Sequence, residues 1–473
     1  MTTRLTLAAL FSFVLSGCAT LQPDNKQTNI TNNGKAVVVH EYQLENGMKV
    51  FVKEDHRAPV VASMVWYKVG SSYENNGTTG VSHVLEHMMF KGTEKYGPGE
   101  FSRIIAENGG KDNAFTSRDY TAYFQRLHKD KLETSMRMEA DRMRGMKVLD
   151  EEFAKEVQVV IEERRMRTED NPEALTYEAF SASAYTTNPY RRPVIGWMND
   201  LENMTAQDIR DWYLVWYAPN NASLVVAGDV DPAQVYQMAK KYFAPLKPIK
   251  HIALPKPQQE PEQKGQRRII VKAPAELPYL LMGYKVPSVT GAKEEWEPYA
   301  LDVLSSVLDG GNSARFSKNL VRGQQVAASA GAGYSPFSRL DTLFLFDGNP
   351  AQGHTIAELE QAIYEQIELI KNEPVSADEL ARIKAQVIAA DVYQLDSVFY
   401  QAMKIGQFET VGLDWRLSDQ YAERIQQVTA EQVQKVAKKY LVDDSLTVAI
   451  LEPQPMDAAK GKLPHRPSTG ARH

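Results

Sequence analysis

The sequence predicts an α+β fold built twice, and three observations lead to that reading. Short strand-like apolar runs alternate with longer stretches of helical periodicity, which is the pattern of sheets covered by helices. A cap–helix–turn–strand unit occurs in the same place in both halves. Between the halves lies a stretch from Ala244 to Gln266 in which Pro245, Pro248, Pro255, Pro257 and Pro261 recur among Lys, Gln and Glu. Proline at that density continues neither a helix nor a central strand, so the stretch reads as a linker. At 473 residues, 43% of them hydrophobic, the chain has material for more than one core.

Strands are expected at residues 37–39 and 48–52, with Asn46-Gly47 between them as a hairpin turn. Another is expected at 60–69. Helical patterns cover 79–90, 99–108, 131–146, 150–168, 206–217 and 232–243. Strand-like runs lie between them at 113–115, 120–127 and 223–227. The repeat is read from residues. Met204-Thr205-Ala206-Gln207-Asp208-Ile209 parallels Val428-Thr429-Ala430-Glu431-Gln432-Val433, each opening a helix with a threonine cap. Each helix ends near a tyrosine, Tyr217 or Tyr440, and runs through a polar turn into a strand, Ala222–Val226 or Ser445–Ala449. Val65-Trp66-Tyr67-Lys68-Val69 likewise parallels Met282-Gly283-Tyr284-Lys285-Val286. Order kept in both halves indicates internal duplication.

The two ends read differently from the middle. Arg4 is followed by the apolar run Leu5–Leu15, too short to span a bilayer but suited to the core of a secretory signal. The single cysteine, Cys18, excludes a disulfide framework and sits in Leu15-Ser16-Gly17-Cys18, which resembles the bacterial lipobox. That resemblance implies cleavage before Cys18, lipidation of its thiol, and an outer-membrane lipoprotein facing the periplasm. The expected division is a signal peptide over 1–18, a flexible tether over 19–36, an N-terminal domain over 37–245, a linker over 246–268, a C-terminal domain over 269–453 and a disordered tail over 454–473. The net charge of −6 is spread along the chain, and no basic block points to nucleic acid.

His83-Val84-Leu85-Glu86-His87 carries the chemistry. Residues four apart share a helix face, so both imidazoles can aim at one ion, and Glu86 reaches the same pocket. Zinc suits imidazole ligands, and a catalytic zinc needs three protein ligands plus a water whose proton a free carboxylate can take. Val81, Leu85, Met88 and Met89 make the segment too apolar for an exposed face. A third ligand is sought on the helix over 150–168, expected to open on Asp150 as its cap. Glu156 and Glu163 stack two turns apart on one flank of its apolar stripe, and Glu162 projects from the other; spacing alone does not choose among them. Arg164, Arg165 and Arg167 read as a solvated helix face. His40, His56 and His128 fall outside any ligand spacing.

HxxEH is the inverzincin order of residues. The run His83 to Thr93, followed about seventy residues later by Glu156-Val-Gln-Val-Val-Ile-Glu-Glu163, resembles the pitrilysin/insulinase family. The resemblance implies two homologous α/β-sandwich domains, mostly antiparallel sheet with helices, closed as a clamshell. It implies one zinc per chain held by His83, His87 and Glu163, with Glu86 as general base and Glu156 orienting the site. Gly109 to Thr116 also matches and implies an edge strand that pairs with peptide substrate, so Asn113, Ala114 and Phe115 are candidate contacts. The family usually adds an arginine and, seven residues on, a tyrosine that hold the substrate oxyanion. Arg322 fits the first, but Ser329 stands where the tyrosine is expected. That departure implies a partner, either a zinc-less paralogous subunit carrying the Arg/Tyr pair or a second copy of the chain, or a chain that works without the tyrosine. A non-catalytic subunit of such an assembly is the alternative to an endopeptidase.

Overall fold

The computed structural model describes residues 26–456 apart from 33–34, 251, 253, 255, 257 and 258. Cys18 and the tail beyond Met456 lie outside the described residues. The chain folds as two α/β halves, each a mostly antiparallel sheet covered by helices.

The first sheet has seven strands. They are β1 (Lys26–Asn32), β2 (Lys35–Gln43), β3 (Lys49–Glu54), β4 (Val60–Tyr67), β5 (Lys111–Thr116), β6 (Thr121–His128) and β7 (Ala222–Gly228). Their order is β1-β2-β3-β7-β4-β6-β5, and only β3 and β7 run parallel. The second sheet holds β8 (Arg267–Pro274), β9 (Tyr279–Val286), β10 (Ala327–Gly333), β11 (Thr342–Pro350) and β12 (Leu446–Gln454) in the order β10-β11-β9-β12-β8. Again a single pair, β8 with β12, is parallel. Read from the other end, β8-β12-β9-β11-β10 reproduces β3-β7-β4-β6-β5, so the duplication seen in sequence is a duplication of topology. The segment expected to be a tether contains β1, which pairs with β2 over its whole length.

Among the described residues eight α-helices belong by sequence to the first half: α1 (Val81–Met88), α2 (Glu100–Glu107), α3 (Leu132–Gly145), α4 (Asp150–Arg164), α5 (Pro172–Ala184), α6 (Met198–Asn203), α7 (Ala206–Trp216) and α8 (Pro232–Phe243). Six belong to the second: α9 (Glu297–Asp309), α10 (Ile356–Asn372), α11 (Ala377–Gln394), α12 (Val398–Val411), α13 (Leu417–Gln427) and α14 (Ala430–Tyr440). Local chemistry sets many of the ends. Thr205 and Thr429 both close reciprocal capping boxes, with Asp208 and Gln432. Gly47 takes φ 89°, which a hairpin turn needs, and the Asn46 amide donates to Phe243 O at 2.7 Å, tying that hairpin to the end of α8. Helix α4 departs from expectation at its start. Its cap is Leu149, which offers no side-chain bond, and the Asp150 carboxylate pairs with Arg210 instead.

Each half lends one helix to the other. Helix α5 packs on β8, β9 and β12 of the second sheet, and α12 packs on β3, β4 and β7 of the first. The exchange is matched side chain for side chain. Gly406, nine residues after the α12 cap Ser397, lies flat against Trp66 of β4; an added Cβ there would stand 2.1 Å from Trp66 Cε2. Phe180, nine residues after the α5 cap Asn171, fills the same place over Gly283 of β9. Trp66 and Gly283 are the positions that the sequence repeat aligns. One crossing is large strand on small helix, the other the reverse, and both are buried.

Gly406→Val is therefore expected to cost at least about 1–3 kcal/mol through overpacking. Denaturant unfolding measures it, and Trp66→Leu in the same chain should recover part of the loss, as coupled neighbours do.

Candidate metal centre

Helix α1 starts at a glycine, Gly80, in the left-handed region (φ 86°), where a side chain would strike Ile195 O. Its first amides are held by buried Glu74, whose carboxylate accepts from Gly80 N at 2.7 Å and Ser82 N at 2.9 Å. An acid at a helix N-terminus is favourable to the helix dipole. Burial nevertheless pushes the Glu74 carboxyl up to about 7. Asp200, from α6, accepts from Thr79 N and Thr79 Oγ1 just upstream. The helix is thus fixed in register before its functional residues begin.

Helix α4 packs on α1 through the core that includes Val84, Leu85, Met88, Val157, Val160 and Ile161. This brings Glu163 beside the two histidines. His87 Nε2 stands 3.4 Å and His83 Nε2 3.8 Å from Glu163 Oε2. Ligand atoms of all three lie within 4.8 Å of one another, the one such histidine–carboxylate group among the described residues. Ligands 2.0–2.2 Å from a tetrahedral zinc sit about 3.3–3.5 Å apart, so the three residues fit that ion with small adjustment. Glu162 points away and pairs with Arg165. Spacing could not separate Glu162 from Glu163; the packing of α4 does.

Outer contacts orient the set. His87 Nδ1 meets Glu156 Oε1 at 2.9 Å, leaving Nε2 for the ion, and Glu156 is itself held by Lys91 Nζ at 2.5 Å. Burial and the neighbouring His87 hold His83 down to about 4, which keeps its imidazole neutral and able to ligate. For His87, burial acts downward but the Glu163 and Glu156 carboxylates outweigh it and raise the imidazole. Glu86 faces the same space. Burial raises its carboxyl, against the hydroxyl of Thr116, which donates to Glu86 Oε2 at 2.5 Å. Thr116 ends β5, so the edge strand and the acid–base candidate meet at one hydrogen bond.

Among the described residues strand β5 is the free edge of the first sheet, paired only with β6. Asn113 is exposed, Phe115 half-buried and Ala114 buried against the α1 side. The hairpin after it is locked on both sides: Ser71 N and Ser72 N donate to Ser117 O and Arg118 O. From the second half, Arg339 reaches Asp119 Oδ1 at 3.1 Å and Ser72 Oγ at 2.7 Å. Arg339 was not legible as a site residue; it sits in a loop with no motif and acts only through long-range contacts.

One expectation changes. Arg164 is buried, pairs in two-pronged fashion with Glu178 and donates to Gly196 O, so it is no solvated residue. Arg165 and Arg167 are exposed, as expected of a solvated face, and Arg167 also pairs with Glu163 Oε1 at 2.8 Å from a π-helical turn over Arg165–Glu169, a distortion frequent at functional sites. Arg322 lies on the second half, where its guanidinium donates to Asn312 O. Among the described residues no hydrogen bond or ion pair joins it to the cluster. Ser329 Oγ donates to Asn349 Oδ1 at 2.8 Å, and the Tyr334 hydroxyl is engaged with Pro287 O at 2.6 Å. In the second half α9 follows β9 as α1 follows β4, and it contains no histidine.

Residues 49–197 match the insulinase family (peptidase family M16), and residues 203–387 match the peptidase M16 inactive domain. A curated relative, zinc protease PqqE of Helicobacter pylori, is 34% identical over 418 residues, covering 87% of this chain and 92% of its own length. The uncharacterized zinc protease YmxG of Bacillus subtilis is 25% identical, with 88% and 98% covered. A crystal structure of a protease from Helicobacter pylori superimposes with a TM-score of 0.84 at 32% identity, over 88% of this chain and all of that one.

Glu156→Gln is expected to weaken zinc binding about 10- to 100-fold by freeing the His87 ring. Competition with a chelator of known affinity measures it, and Glu86→Gln should bind zinc as the unaltered chain does.

Proposed function

The chain belongs to the insulinase family, peptidase family M16, and on that footing we propose that it is a zinc-dependent endopeptidase acting on peptides or unstructured segments in the cell envelope. The observation that carries this is the meeting of Glu86 with the edge strand, at Thr116, beside the His83–His87–Glu163 group.

When bound, zinc supplies a Lewis acid that polarises the scissile carbonyl and lets water lose a proton near neutral pH. Substrate adds as a strand to β5, its backbone taking up the N–H and C=O groups that β5 leaves unpaired, with Asn113, Ala114 and Phe115 alongside. The free Oε1 of Glu86 takes the proton of the attacking water and later delivers it to the leaving amine, while Oε2 stays held by Thr116. Burial raises the Glu86 carboxyl toward the range in which one group can both accept and release a proton. Glu156 keeps His87 in the ligating tautomer throughout.

A partner-dependent reading has one observation in its favour. Ser329 holds the place expected of the tyrosine, and the Tyr334 hydroxyl is engaged with Pro287 O. An oxyanion donor is worth about 10²–10³ in turnover, so a second subunit bearing the Arg/Tyr pair, or a second copy of this chain, would supply a large part of the rate.

Hydrolysis of an unstructured peptide library by the zinc-loaded chain tests the proposal, with one zinc per chain expected. Glu86→Gln should lower turnover by about 10²–10⁴. Zinc bound without cleavage would remove self-sufficiency and direct the search to the partner; absence of zinc would sink the peptidase reading.

The N-terminal signal and Cys18 support an outer-membrane lipoprotein facing the periplasm. Among the described residues no helix is long and apolar enough to cross a membrane. A lipid on Cys18 is the proposed anchor. Cys18→Ser should move the protein from the outer-membrane fraction; retention there would argue against lipidation.

A further inference from the structure

The foot of β5, at the end away from Glu86, opens into a cavity of about 750 Å³. Its walls come from the β3–β4 loop, the starts of β4 and β5, the end of β6 and the turn between α11 and α12, and include Val60, Lys111, Arg126, His128, Val398 and Phe399. The register of β5 on β6 puts Lys111 opposite Arg126, Asn113 opposite Phe124 and Phe115 opposite Ala122. Alternation along a strand therefore sets Lys111, Asn113 and Phe115 on one face, the face that α12 covers. Phe399, the second residue of α12, continues that row. Its ring stacks edge-on against Phe124 at 4.7 Å, and the Arg126 guanidinium lies 5.1 Å above it.

Charge in the cavity is unbalanced. Arg57 is bound by Asp55 and Asp396, and His128 is paired with Asp130. Lys111 and Arg126 are exposed, and among the described residues neither has a carboxylate partner. Two free cations over an apolar floor suit a ligand with acidic and apolar side chains together. The cavity is also continuous with the strand edge on which the proposed function rests. Five residues separate Thr116 from Lys111, about 17 Å at 3.3 Å per residue.

We propose that this cavity is a distal substrate subsite, which takes an acidic and aromatic segment of the bound peptide roughly five residues from the cleaved bond. The inference deepens the peptidase reading and rests on β5 as the substrate strand. A peptide added to β5 sends every second side chain along the Phe115–Asn113–Lys111 row, and the last of these reaches Lys111, Arg126 and Phe399.

The probe is a set of labelled, end-blocked peptides sharing one unstructured core, with a Glu-Phe-Glu or Gln-Phe-Gln segment placed at increasing distance on either side. Fluorescence anisotropy reads their binding to the zinc-loaded Glu86→Gln protein, which keeps them uncut. The Glu form is expected to bind about five- to tenfold tighter than the Gln form at one spacing, less so as salt rises. Lys111→Glu with Arg126→Glu should abolish or invert that ratio, and the milder Lys111→Gln with Arg126→Gln should bring it to about one. Each variant is scored on its own ratio, so a general loss of affinity cancels. Equal binding of the two forms, a preference indifferent to spacing, or one that survives both double substitutions overturns the subsite. The peptidase reading is judged separately, by whether the unaltered protein cuts the core peptide.

Discussion

The exchange of α5 and α12 between the halves is the constraint on which the rest depends. Each helix seals the open face of the sheet it does not belong to by sequence, and each crossing is a glycine under an aromatic ring, Gly406 at Trp66 and Gly283 at Phe180. Close-packed interiors tolerate little movement at such contacts. The consequence reaches the candidate metal centre, because α4 runs through a π-helical turn and the Asp170-Asn171 link into α5. Glu163 therefore sits on a segment fixed at one end by the α1 packing and at the other by the second sheet. Trp66 also supports the edge strand, since its ring meets Phe115 of that strand and Tyr120 of the following hairpin.

Electrostatics completes what packing begins. Two imidazoles and two carboxylates, all largely out of water, would be costly without partners. Each has one. Glu156 takes His87, Lys91 takes Glu156, Arg167 takes Glu163, and Thr116 takes Glu86. What is left facing the centre is the pair of ring nitrogens and one carboxylate oxygen, a donor set that a zinc ion satisfies. Glu74 and Asp200 do the same for the start of α1, and Arg339 fixes the hairpin beyond β5 from the opposite half. The second half thus contributes position, while the histidines and the candidate acid–base carboxylate come from the first.

Much of this is legible in the sequence. The His83–Glu86–His87 spacing predicts a shared helix face, and the structure shows that face turned inward. The threonine caps, the Asn46-Gly47 turn and the parallel runs around Trp66 and Gly283 announce the duplication because each is a local rule acting over a few residues. Resemblance carried the reading further, to Glu163 and the edge strand. The sequence did not reveal the helix α5, although Asn171 and Pro172 form a good start signal, since Thr176 to Ala184 has almost no amphipathic contrast. A helix buried on several sides shows none.

Residue types and spacing by themselves determined the fold class, the repeat and two of the three candidate ligands, because those follow from backbone periodicity and side-chain chemistry. Which carboxylate joins them, which arginine is buried, what pairs with Thr116 and which sheet each helix covers were decided by tertiary structure alone. Glu162 and Glu163 are neighbours with the same chemistry, and only the angle at which α4 crosses α1 turns one toward the histidines and the other to solvent.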